Sequence, residues 1–278
     1  MIKTIVFNGG IGNQMFQYAF YMRMQMEHPF SYFLFDIERA ENVHSGFELD
    51  DVFFINSAKQ RNAYARMKRC CPSINKFFIT IKQKNCFEYV PQICKTKHLF
   101  TLYDGFWQNA EYFQSIEQQV RSVFSFRQDI LNDKTKDIVD KIRETNSVSI
   151  HVRRCDYLQH SDDFGLCSLD FYAKAIAYIK EKISTPRFFL FSDDMEWVKQ
   201  NIKCDNAVYV NWNIGNESWQ DLYLMSCCKH NIIANSSFSW WGGWLNSNVN
   251  KIVIAPTPWV NSFSEYNFIP QGWVKIKK

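Results

Sequence analysis

Three polar clusters in the second half of the chain carry residue types suited to an anionic ligand. His151-Val152-Arg153-Arg154-Cys155-Asp156-Tyr157 sets two adjacent guanidinium groups beside an imidazole and a carboxylate. Ser192-Asp193-Asp194 and Asn235-Ser236-Ser237 each follow an apolar run. Paired arginines suit a phosphate or pyrophosphate, because the guanidinium fork binds such oxygens in bidentate fashion. Ser236 and Ser237 open a helical pattern, and a helix start offers N–H groups and hydroxyls to the same oxygens. Together the clusters describe a nucleotide-diphosphate site. Each also has a plainer reading. Taken alone, Arg153-Arg154 is explained as well by a salt bridge to Asp156 or another carboxylate. His151, next to Ile150, is equally a core histidine. Asp193-Asp194 reads as a helix cap or a metal-binding pair, and the cap is favoured, since no D-x-D spacing of a metal-dependent sugar-nucleotide transferase is present.

Near the N-terminus, Gly9-Gly10-Ile11-Gly12-Asn13-Gln14 follows a β-rich run. It lacks the dinucleotide fingerprint, which needs glycine where Met15 stands, and there is no Walker A motif. The glycines allow close backbone approach to a ligand, and Asn13 and Gln14 are placed to cap a helix or to bond a sugar. Ser239-Trp240-Trp241-Gly242-Gly243-Trp244 offers stacking faces for a sugar ring, but tryptophans at helical spacing favour a core role. Zinc motifs and the G-x-S-x-G elbow are absent.

The elements that must position these residues follow from hydrophobic periodicity. A strand at Lys3–Phe7, a helix from Asn13 to about Glu27 and a strand at Tyr32–Phe35 form a first α/β unit. The stretch from Gly46 to about Phe126 reads as short helices followed by a strand near Leu99–Tyr103. From Ser147 onward, strands at Ser147–Val152, Phe188–Phe191, Ala207–Val210, Asn231–Ala234 and Ile252–Ala255 alternate with four helices. Such alternation predicts a parallel sheet with right-handed crossovers. Ligands of such sheets bind outside the carboxyl ends of the strands, where all three polar clusters fall. The expected organisation is two Rossmann-like lobes, 1–135 and 136–278.

The 278 residues are 46% hydrophobic and 22% charged, with 10 Gly and 7 Pro, a balance that excludes disordered and collagen-like classes. The net charge of +4 is too mild to argue for nucleic acid. It is unevenly spread: Val52–Phe87 holds eight basic residues and no acid. That stretch reads as a solvated face, or as a surface for anionic lipid or an acidic partner. Nine cysteines without C-x-x-C spacing fit a reduced, cytoplasmic setting. No apolar run is long enough to span a bilayer; contact with a membrane surface stays open.

Gly10-Ile11-Gly12-Asn13-Gln14-Met15-Phe16-Gln17, the His151–Tyr157 cluster and Asn235-Ser236-Ser237-Phe238-Ser239-Trp240-Trp241-Gly242 together resemble the bacterial α-1,2-fucosyltransferases of glycosyltransferase family 11. The likeness extends through Leu166–Asp170, Gln220–Ser226 and Val253–Pro256; residues 40–100 carry none of its motifs. It implies a GT-B-like fold of two Rossmann-like lobes, an acceptor-side N-terminal lobe and a C-terminal lobe holding GDP-fucose. It also implies inverting transfer of L-fucose to the 2-hydroxyl of a galactose, in an oligosaccharide or a lipid-linked glycan, without a metal or other cofactor. By likeness to related α-1,6-fucosyltransferases, His151 and Asp221 read the guanine. Arg153 holds the β-phosphate, with Arg154, Asp193, Ser236 and Ser237 on the donor side. Gly12, Asn13 and Gln14 meet the sugar or acceptor, with Asn13 close to the fucose. Cys155 departs from the family's usual glycine, so a Cβ there either tightens the loop or rules out a positive φ.

Charge development dictates the mechanism expected. Breaking the glycosidic bond builds negative charge on the diphosphate, which fixed arginine charge stabilises. The acceptor hydroxyl then attacks the opposite face, aided by a general base. Asp156 is the carboxylate nearest the arginines, with His160, Asp162 and Asp163 following. Competing readings are another nucleotide-sugar transferase on the same scaffold, and a non-enzymatic carbohydrate-binding protein. The second leaves the arginine pair without a purpose.

Overall fold

The computed structural model describes residues 1–155, 158, 165–261 and 268–278. Asp156, Tyr157, His160, Asp162 and Asp163 lie outside them. The chain divides into two compact units, Met1–Arg127 with Phe268 and the remainder from Gln128 onward. Both are α/β with wholly parallel sheets.

The first unit runs β1 (Ile2–Val6), α1 (Ile11–Glu27), β2 (Tyr32–Asp36), α2 (Glu38–Glu41), α3 (Leu49–Val52), α4 (Ala58–Cys70), β3 (Ile79–Lys82), α5 (Pro91–Cys94), β4 (Phe100–Asp104) and α6 (Glu117–Val123). Its sheet has the order β2-β1-β4-β3. Helix α1 starts at Ile11, two residues earlier than Asn13, because Gly10 serves as N-cap. An aromatic core fills the space beneath α1: Phe20 stacks on Trp107 at 4.2 Å, and Tyr103 and Tyr112 stand edge-on to Phe20. Strand β3 has no counterpart in the sequence reading. Its four residues line a sheet edge and are mostly exposed, so they carry little of the apolar alternation by which strands are read.

The second unit runs α7 (Asp133–Glu144), β5 (Asn146–Val152), α8 (Leu169–Lys182), β6 (Pro186–Ser192), α9 (Met195–Asn201), β7 (Val208–Val210), α10 (Trp219–Cys227), β8 (His230–Ile232), α11 (Ser237–Leu245), β9 (Val253–Thr257) and β10 (Val274–Lys277). The order is β10-β9-β8-β5-β6-β7, so the sheet has six strands rather than five. Strand β10 reads Val-Lys-Ile-Lys, an edge strand whose lysines obscure it in the sequence. A boundary at 135/136 would cut α7. The division falls before that helix, because its buried Thr135, Ile138, Val139 and Ile142 belong to the second unit's core.

Alternation along β5 sorts chemistry by face. Val148, Ile150 and Val152 enter a core with Phe171, Ala175 and Ile179 of α8. Ser147, Ser149 and His151 point the other way, and Ser149 Oγ accepts from Asn231 Nδ2 at 2.8 Å. The tryptophans of α11 are core: Trp240 and Trp241 are inaccessible, and Trp244 is nearly so. The two glycines between them let the helix press inward. A Cβ on Gly242 would stand 3.0 Å from Met225 Cβ, and one on Gly243 2.9 Å from Val253 Cγ1.

Candidate functional site

The chain adds β6 and β7 on one side of β5, then reverses to place β8 on the other. The crevice of such a sheet lies where the strand order reverses, outside the carboxyl ends. Here that is between β5 and β8. Ile150 pairs with Ile232, and Val152 with Ser192. Following this register past the strand ends sets Arg153 level with Asn235 on one side and Asp193 on the other. The three polar clusters therefore share one edge of one sheet.

Asp193 organises the loop that leaves β5. Its Oδ1 accepts from the Arg154 N–H at 2.9 Å, and its Oδ2 accepts from the Cys155 N–H at 3.1 Å. Arg153 Nε stands 3.3 Å from the same Oδ2. Cys155 Sγ donates to the Asp193 carbonyl at 3.2 Å. Cys155 is not among the residues of positive φ, so its Cβ tightens this clasp without backbone strain. Arg154 is turned aside: its guanidinium lies 3.8 Å above the Trp197 ring and 3.3 Å from Asp194 Oδ2. Asp194 in turn caps α9, accepting from the Trp197 N–H at 3.2 Å. Asp194 is thus a cap, while Asp193 and Arg154 fix the loop that presents Arg153.

Across the crevice, Ser236 is the N-cap of α11, and its side chain makes no bond to that helix's N–H groups. Ser239 Oγ instead donates to the Ala234 and Ser236 carbonyls. Asn235 ties neighbouring loops to the strand end, donating to the carbonyls of Gly165 at 2.8 Å and Trp259 at 3.0 Å. His151 is buried, its ring 5.6 Å from that of Phe238.

Asp221 lies in the first turn of α10 and belongs to an amide network. It accepts from Asn213 Nδ2 at 2.8 Å. Asn213 Oδ1 accepts from Asn132 Nδ2 and from Thr135 Oγ1. Burial of the carboxyl pushes its pKa up to about 8, against a smaller lowering by the Asn213 bond.

The glycine loop of the first unit is built differently. Gly9 has φ +78°, and a Cβ there would stand 2.3 Å from Asn13 Nδ2. Gln14 is fully buried: its Nε2 donates to the Gly9 and Gly46 carbonyls at 2.9 and 2.8 Å, and its Oε1 accepts from the Glu48 N–H at 2.9 Å. That spends its amide on the fold, and Gly12 is buried within α1. Asn13 keeps part of its surface, with its Oδ1 accepting from Gln108 Nε2 at 2.6 Å.

Comparison with known proteins shows the family of the whole chain. Residues 1–277 match the family described as Glycosyl transferase family 11. The chain is 37% identical to an alpha-1,2-colitosyltransferase of Escherichia coli, with 97% of each chain covered. It is 30% identical to the O-antigen biosynthesis glycosyltransferase WbnK of the same organism, over 97% of this chain and 98% of that one. Among solved structures, the NodZ alpha-1,6-fucosyltransferase soaked with GDP-fucose aligns with TM-score 0.53 at 14% identity, covering 88% of this chain and 92% of that chain. The chain belongs to glycosyltransferase family 11. Its fold is the GT-B class of two Rossmann-like units.

One residue of this family 11 chain escapes sequence reasoning. Glu48 Oε2 accepts from the Ile11 N–H at 3.2 Å, at the start of α1, while its own N–H is held by Gln14. Burial pushes the carboxyl up to about 7. The partners are too far apart in sequence for any spacing pattern to show. Among the described residues no cluster of His, Cys, Asp and Glu has metal-ligand geometry, and no helix is long and apolar enough to cross a membrane.

Proposed function

We propose that this family 11 enzyme is an inverting galactoside α-1,2-fucosyltransferase, moving L-fucose from GDP-fucose to a galactose 2-hydroxyl during surface-glycan synthesis. The observation that carries the reading is Arg153, held by Asp193 at the carboxyl end of β5 and level in register with Asn235, the residue before the N-cap of α11. A guanidinium and a helix start on neighbouring strand ends suit a diphosphate. Arg153 stabilises the charge that gathers on the leaving β-phosphate as the fucose C1–O bond breaks. Ser236 and Ser237 bind the same group. His151 and Asp221 read the guanine, and the carboxylate form of Asp221 accepts from its N–H groups.

The first unit takes the acceptor, a galactose-containing oligosaccharide or a lipid-linked glycan, and Asn13 is the glycine-loop side chain open to a sugar. The acceptor oxygen forms the new bond to C1 and loses its proton to a base. Asp156 is the first candidate for that base. Arginine charge at the leaving group makes a metal unnecessary. The enzyme works at the cytoplasmic side of the membrane.

A second donor is favoured by one finding: the relative at 37% identity is named for colitose, a 3-deoxy analogue of fucose. The decisive experiment offers GDP-fucose, GDP-colitose and UDP-sugars to a panel of galactosides with and without EDTA. A fucosylated α-1,2 product, unchanged by EDTA, supports the reading. Preference for GDP-colitose moves the donor. Loss of product with EDTA overturns metal independence, and activity only with UDP-sugars overturns the proposal.

A further inference from the structure

The opposite end of the first sheet carries chemistry that sugar transfer does not use. The strands of this sheet all start at one rim: Ile2 pairs with both Tyr32 and Phe100, and Ile79 pairs with Thr101. A five-residue strand puts that rim roughly 17 Å from the glycine loop. Large apolar side chains stand out from it. Phe30 is 94% exposed, Phe77 68% and Leu99 66%, and Tyr32, Ile79 and Phe100 are exposed beside them. They lie at the strand starts or in the segments that lead into them.

Basic residues alternate with them. Lys76 precedes Phe77, and Lys95 and Lys97 precede Leu99; all three are exposed. Lys59 Nζ lies 6.0 Å from the Tyr32 ring centroid. No Asp or Glu occurs in residues 28–32, 71–79 or 95–100. The acids of β2 and β4 sit at the other end, as Asp36 and Asp104. The structure also redraws the basic stretch of the sequence. Arg61 is paired with Asp50 and Lys68 with Glu38, whereas Lys95 and Lys97, from outside that stretch, join the rim.

We propose that this rim docks the protein on an anionic lipid surface. Protruding aromatic and aliphatic side chains enter the boundary between headgroups and acyl chains, and flanking lysines keep their ammonium groups at the headgroup phosphates. A second copy of the chain is the poorer occupant, since a two-fold contact would set the same basic rim against itself. The carboxyl end of the sheet, with its glycine loop, is left uncovered by this contact.

The test is co-sedimentation of the full chain with phosphatidylcholine vesicles, with and without phosphatidylglycerol. Binding is expected only when phosphatidylglycerol is present and weakens with salt. Joint substitution Lys76→Glu and Lys97→Glu lowers the partition coefficient by at least about 20-fold, from about fivefold per basic residue. Joint substitution Phe77→Ser and Leu99→Ser also lowers it, with an unchanged melting temperature as the control for folding. Equal binding to neutral vesicles, no binding to either, or wild-type binding by both variants overturns the proposal. So does a dimer in solution that Phe77→Ser and Leu99→Ser dissolve. None of these readouts requires sugar transfer, so the donor and acceptor assignments are tested separately.

Discussion

The carboxyl ends of the two parallel sheets are finished in different ways. In the first unit the strand order reverses between β1 and β4, and Gln17 fills that point, its Oε1 accepting from the Asn8 N–H and its Nε2 donating to the Gly105 carbonyl. Gln14 and Glu48 close the adjoining glycine loop. In the second unit the reversal lies between β5 and β8, flanked by Arg153 and by an N-cap serine that leaves its own helix uncapped. One edge spends its amides on itself; the other brings a cation and a helix start to the crevice. Two parallel sheets of different strand order thus end in an internally bonded loop in one unit and in an edge that carries Arg153 and a helix start in the other. Fold alone does not assign a site; the side chains at the reversal point do.

The sharpest way to break this contrast is Arg153→Ala. Transfer falls by about 100- to 1,000-fold, the range for removing one preorganised charge-stabilising donor, and the protein stays folded by circular dichroism. Turnover near wild type would remove the phosphate role from the second edge. Gly9→Ala probes the first edge. Its positive φ and the close approach to Asn13 cost about 1–3 kcal/mol in urea unfolding, and transfer drops while GDP affinity by calorimetry is kept. Loss of GDP affinity would show that the two edges do not divide the labour.

Asp221→Asn separates a nucleotide contact from a structural one. Burial lifts Asp221 from 3.8 to about 8, so folding takes up a proton. The stability this adds is full below pH 3.8 and is lost as pH rises through about 8. Asn removes that slope, and melting at pH 8 improves relative to wild type. In the intact protein, GDP binding that needs the carboxylate tightens by up to about tenfold per pH unit below pH 8 and then levels. A flat profile, with unchanged GDP affinity in the variant, would make Asp221 structural. The smallest effect is expected from Glu48→Gln. Burial raises Glu48 from 4.5 to about 7; its contribution is full below pH 4.5 and is lost through pH 7. The neutral amide flattens that window in thermal melts by about 1 kcal/mol.

The second unit was legible because apolar runs and polar strand ends alternate regularly from residue 146 onward. In the first unit β1, α1, β2 and β4 were legible too, but β3 and the one-turn helices between residues 38 and 94 were not, since they carry little apolar periodicity of their own. Asp193 and Arg154 read as donor-side residues in the sequence, and the structure adds their bonds within the loop that carries Arg153, which no spacing pattern shows. A sequence shows residue types, but not whether a carboxylate faces a backbone N–H or a ligand.

What the sequence by itself determined is the alternating α/β pattern, the family, and the placement of three polar clusters at strand ends, because these rest on local periodicity and short motifs. Only the tertiary structure decided the strand order that makes the β5–β8 crevice, the burial of Gln14, the partnership of Ile11 with Glu48 and the gathering of exposed aromatics and lysines at one rim. Each of these depends on which distant residues meet, and that is set by packing and hydrogen bonding rather than by spacing along the chain.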